Sequence, residues 1–225
     1  VLTQAELPYH HVSARITFTV EEPCYLHQHI ALTLHRRFCA EDEPNRFESV
    51  WASYIDVPPD RHVYMKPNPD LGGPLQGWFG ITRPSHTSHA WEVRPLPEEE
   101  LDAAGHLRAM TSAEPLPDMD MNERKDPHWP ASVLPEPLDV PLRFYYGLVG
   151  ETMVLMMFRQ PERFRLAYSP TGGSVEPPWC PAWDYVLVLD DAEPGVEHVW
   201  DLCLALKPYA GRADVLEEVK RYTQR

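Results

Sequence analysis

His27 and His29 stand two residues apart in the stretch Tyr25 to Arg37, YLHQHIALTLHRR, with His35 further along. On an extended strand, residues at i and i+2 project from one face, roughly 6 to 7 Å apart at the backbone. Two imidazoles so placed can share one metal ion, or they can take and return protons near neutral pH. The metal centre, holding one divalent transition metal, needs a third protein ligand and an open position for water or substrate. His86 and His89, in the segment Ser85 to His89, are candidates for that ligand, and His35 is a more distant one. The metal-free alternative gives His27, His29, His86 and His89 to general acid–base chemistry or to hydrogen bonds with sugar hydroxyls. The bland alternative leaves them on a solvated sheet face with their ring nitrogens satisfied.

A second constellation lies near the end of the chain. Trp179 and Trp183 bracket Cys180, Pro181 and Ala182, and Asp184 follows. Flat aromatic rings beside a carboxylate suit a polyol, the rings covering its C–H face and the acid bonding its hydroxyls. Trp91 falls on the same face as His89 if that strand is regular. The competing expectation is that the tryptophans plug the end of a sandwich.

The HxH strand resembles the metal-binding HxH of the cupin jelly rolls, which implies a metal on His27 and His29. The chain departs from the cupin pattern directly afterwards, where Ile30 to Leu34 replace the expected glutamate. Asp118 to Asn122 opens like a calcium loop, but Glu123 stands where glycine is wanted and Trp129 where a bidentate glutamate is wanted. No HExxH, GxSxG, phosphate-loop or dinucleotide-binding glycine pattern occurs, so those chemistries lack support.

The elements that must position these residues read as strands. Val12 to Val20 alternates apolar and polar residues without error, and in the histidine strand Leu26, Ile30, Leu32 and Leu34 form an inward row. Further strands are expected at 46–56, 62–66, 77–82, 88–94, 142–149, 151–159, 163–168, 182–189 and 198–206, with a hairpin at Gly150. Pro97 followed by three glutamates suggests a helix to about Met110. Val215, Leu216, Val219 and Tyr222 give a short amphipathic helix near the C-terminus. Between about 113 and 141, prolines forbid most regular structure, which leaves a long Pro-rich loop. The expectation is an all-β chain, an antiparallel two-sheet β-sandwich or jelly roll forming one domain over residues 1–225, with a short C-terminal helix.

Composition narrows the partners. The 225 residues carry 20 Lys and Arg against 34 Asp and Glu, a net charge of −14 that repels nucleic acid and anionic membranes. The four cysteines, Cys24, Cys39, Cys180 and Cys203, show no metal spacing and read as thiols. No apolar run is long enough to span a bilayer. A cytoplasmic location is the first expectation, and a secreted one follows if a leader has been removed ahead of Val1. The leading functional reading is a carbohydrate-binding or carbohydrate-processing protein, an isomerase, epimerase or lyase with histidine acid–base chemistry, acting on a small molecule or oligosaccharide. A metal-dependent jelly-roll enzyme with a His27/His29 site and a non-catalytic protein-interaction module are the alternatives.

Overall fold

The computed structural model describes residues 1–6, 11–55, 58–66, 77–82, 92–96, 143–169 and 181–225. His86, His89, Trp91, Trp179, the helix expected from Pro97 and the loop at about 113–141 lie outside the described residues. The chain is mostly β. Its strands are β1 (Leu2–Gln4), β2 (Val12–Glu21), β3 (Tyr25–Leu34), β4 (Phe47–Trp51), β5 (Val63–Met65) and β6 (Phe79–Thr82). They continue as β7 (Glu92–Pro95), β8 (Phe144–Val149), β9 (Thr152–Phe158), β10 (Phe164–Ser169), β11 (Ala182–Leu189) and β12 (Glu197–Pro208). Helix α1 (Arg212–Thr223) follows.

Among the described residues, nine strands form one sheet in the order β1-β2-β3-β12-β9-β8-β5-β6-β7, and β10-β11-β4 form a second. Every described pairing is antiparallel. The expected two-sheet antiparallel fold is therefore the one that forms, with shorter strands than the sequence pattern suggests at several ends. Gly150 makes the β8–β9 hairpin at φ 61°, a backbone region that costs glycine least.

Alternation places the core between the sheets. Ile30, Leu32, Leu34, Trp200 and Leu202 from the large sheet meet Phe164, Leu166, Trp183, Tyr185 and Leu187 from the small one. Gln28 lies in this inward row and is buried. Its amide oxygen accepts the Tyr185 hydroxyl at 2.9 Å, which satisfies the acceptor half of a polar group that is costly to bury.

The outer face of the large sheet is apolar in its middle, and α1 covers it. Val215, Val219 and Tyr222, at helical spacing, pack with Tyr146, Met153, Leu155, Met157 and Cys203. The expected stripe also contained Leu216, but Leu216 is 38% exposed, because it lies a quarter-turn away from the line through 215, 219 and 222. Glu218 is buried in its stead. Its carboxylate accepts hydrogen bonds from Lys207 Nζ at 2.8 Å, the Tyr25 hydroxyl at 2.9 Å and Arg221 at 3.0 Å. Burial alone would raise the Glu218 carboxyl, but Lys207 and Tyr25 outweigh it and hold the group below its ordinary range. Glu218→Ala should therefore cost about 2 kcal/mol, since it leaves a partly buried ammonium without its main partner. Hydrogen exchange should show the loss concentrated in residues 212–223. Unchanged protection of the helix would contradict this anchoring role.

Candidate functional site

The histidine row of β3 points to the outer face, beside α1. Register builds its surroundings from strands that are distant in sequence. His29 lies between Thr17 of β2 and Asp201 of β12, and His27 lies between Thr19 and Cys203. Beyond β12, the backbone N–H of Arg159, just past the end of β9, donates to the Asp201 carbonyl at 3.0 Å. Tyr222 closes one side from α1, its ring centre 6.2 Å from that of His27. Thr17, Thr19, His27, His29, Arg159, Asp201 and Tyr222 line a hollow that is open to solvent.

Two carboxylates orient the two imidazoles. His29 Nδ1 is 2.8 Å from Asp201 Oδ1, and a carboxylate can only accept, so Nδ1 carries the proton and Nε2 is the nitrogen left for a ligand. The His29 side chain is 43% exposed, which keeps that nitrogen within reach. In His27 the roles are reversed. Its Nε2 donates to Glu21 Oε2 at 2.9 Å, and Glu21 is also bonded to Arg225 at 2.8 Å. Hydrogen bonds from Arg225 and then His27 hold the Glu21 carboxyl below its ordinary range, so it stays ionised as an acceptor. Of the two, His29 is the more exposed and is paired with Asp201, and His27 is held by an ion-paired glutamate.

A cysteine next to a histidine suggests a nucleophile, and Cys203 is directly opposite His27. Burial pushes its thiol up to about 12, so at neutral pH it is protonated and packs as a small apolar group. Cys24, Cys39 and Cys203 are all free thiols. Among the described residues, no group of three His, Cys, Asp or Glu side chains is placed to hold a metal ion. His35 does not join the pair, because its Nε2 meets the Ser13 hydroxyl at 2.9 Å beyond the end of β3.

Trp183 and Asp184 do not share a site with the histidines or with each other, in contrast to the expected polyol platform. They are consecutive on β11, and consecutive strand residues project to opposite faces. Trp183 lies between the sheets at 2% exposure and has no ring face to offer a sugar. Asp184 projects from the other face of the small sheet, where its Oδ1 accepts the Ser53 backbone N–H at 2.7 Å. The residues that sequence reasoning missed are Thr17, Thr19, Glu21, Arg159, Asp201 and Tyr222. Asp201 carried a signal, as the one carboxylate inside the otherwise apolar run from Val199 to Leu206.

No helix among the described residues is long and apolar enough to cross a membrane. Comparison of the chain with protein-family models, with curated proteins and with solved structures finds no match.

Proposed function

We propose that the hollow over β2, β3 and β12 binds a carbohydrate and that His29, oriented by Asp201, acts on it as acid or base. The observation that carries this reading is the His29–Asp201 pair, which faces an open hollow walled by the hydroxyl-bearing strand row of Thr17 and Thr19. Hydroxyls, imidazoles and a carboxylate together offer both donors and acceptors, which a polyhydroxylated ligand requires. A fixed tautomer gives one nitrogen a single task, to accept a proton and return it, as isomerisation, epimerisation or elimination next to a carbonyl requires. Asp201 would hold the ring and stabilise the imidazolium as it forms.

The test is a thermal-shift panel of mono- and oligosaccharides, followed by NMR of any stabilising sugar in deuterium oxide. Binding should raise the melting temperature, and solvent deuterium should appear at a carbon-bound position. His29→Gln should lower that exchange ten-fold or more while leaving stability within about 0.5 kcal/mol, because the side chain is half exposed. Asp201→Ala should lower it by releasing the ring. No stabilisation by any sugar would overturn the reading.

A further inference from the structure

Arg159 extends that reading to the class of sugar. Its backbone is pinned to β12 through the Asp201 carbonyl, and its guanidinium lies over the Tyr222 ring at 5.2 Å from the centroid. Stacking on the Tyr222 face and a hydrogen bond with its hydroxyl orient the guanidinium, and its remaining N–H groups are left for a ligand. Three other cations of this face are committed. Lys207 meets Asp214 and Glu218, Arg221 meets Glu218, and Arg225 meets Glu21. Among the described residues no carboxylate comes within ion-pair distance of Arg159, although Asp201 lines the same hollow. In a chain of net charge −14, an oriented guanidinium that projects into a concave polar site is a local exception to the overall field.

We infer that the ligand of this hollow is an anionic sugar, a uronic acid or a sugar phosphate, whose acidic group is received by Arg159 while its ring hydroxyls lie towards Thr17, Thr19 and His29. Carboxylate and phosphate both match the planar fork with two parallel N–H···O bonds. This inference rests on the carbohydrate reading of the same hollow. Arg159 acts here as a binding and selecting residue, and His29 keeps the proton-transfer role.

The test is calorimetric titration of the full chain with glucose, glucuronate, glucose 6-phosphate and inorganic phosphate. Glucuronate or glucose 6-phosphate should bind roughly ten- to hundred-fold more tightly than glucose, as one charge-assisted pair implies. Arg159→Gln should remove that preference, and Arg159→Lys should restore part of it, with circular dichroism confirming that both variants fold. Which acidic sugar binds more tightly separates carboxylate from phosphate. Glucose binding as tightly as both acidic sugars, or a preference that survives Arg159→Gln, overturns the inference and leaves the carbohydrate reading standing. Phosphate binding as tightly as glucose 6-phosphate, with the affinity lost in Arg159→Gln, keeps the anion site and removes the sugar. No binding by any of the four overturns both.

Discussion

Gly147→Ala should destabilise the protein by about 3 kcal/mol or more. Gly147 sits in β8, opposite Val63 on one side and Val154 on the other, and its backbone faces the small sheet. A Cβ built there would lie 2.2 Å from Cη2 and 2.2 Å from Cζ3 of Trp183. The six-membered ring of the indole thus rests on the bare backbone of the glycine. It cannot retreat easily, because β11 is held on both sides of the residue. The Tyr145 hydroxyl donates to the Trp183 carbonyl at 2.8 Å, and the Trp183 N–H donates to Ser53 at 2.9 Å. Relief requires a rotamer change in a packed core or separation of the sheets, and both forfeit contacts around Tyr185 and Phe158. At 2 to 4 °C per kcal/mol for a chain of this size, the melting temperature should fall by roughly 6 to 12 °C. Trp183→Leu should be costly by itself, yet combined with Gly147→Ala it should cost less than the two losses added together, since the collision is gone. A Gly147→Ala protein within about 0.5 kcal/mol of the parent would show that the indole does not need the gap.

Such a contact illustrates which parts of this fold can be read from the chain. The alternation in Val12 to Val20 and the row Leu26, Ile30, Leu32, Leu34 reveal β2 and β3 and their inward faces, because period two is a local property. The closeness of Gly147 and Trp183 is not local, since it depends on how two sheets come together. The site divides in the same way. His27 and His29 are legible because one strand carries both. Asp201, 172 residues from His29, becomes its partner only through the β3–β12 register, and Arg159 enters only because β9 flanks β12. Adjacency along the chain also misplaces chemistry. It suggests Trp183 and Asp184 as neighbours in one site, when the pleat sends one between the sheets and the other away from them. Leu216 fails for a related reason, because a buried carboxylate with three donors outcompetes a leucine for the covered side of α1.

Asp184→Asn should stabilise the protein at neutral pH, and by an amount that depends on pH in a set direction. Burial at 6% exposure pushes the Asp184 carboxyl up to about 6, against the opposing pull of the Ser53 N–H. A carboxyl whose folded pKa lies above its unfolded value of about 3.9 favours folding while protonated, and that advantage fades as pH rises through the folded value. Between about pH 4 and pH 7 the parent should therefore lose roughly 2 to 3 kcal/mol through this one group. Asparagine cannot ionise, and its side-chain oxygen can still accept from Ser53, so the variant should escape the loss. Urea unfolding at several pH values gives the check, as the stability difference between variant and parent should grow from pH 4 to pH 7. A difference that stays flat would mean that Asp184 is solvated in the native protein. Asp60 supplies the contrast within the same chain. It too is buried, and burial would raise it, but hydrogen bonds from His62, at 2.6 Å through Nδ1, and from the Tyr64 hydroxyl outweigh that and lower it. Its contribution is present above the ordinary carboxylate range and is lost as pH falls. Asp60→Asn should accordingly destabilise the protein at pH 7, with the deficit shrinking towards acid pH, a slope opposite in sign to that of Asp184→Asn. Two equally hidden aspartates then differ in their donors, one having a single amide and the other an amide, an imidazole and a phenol, and that difference sets the sign.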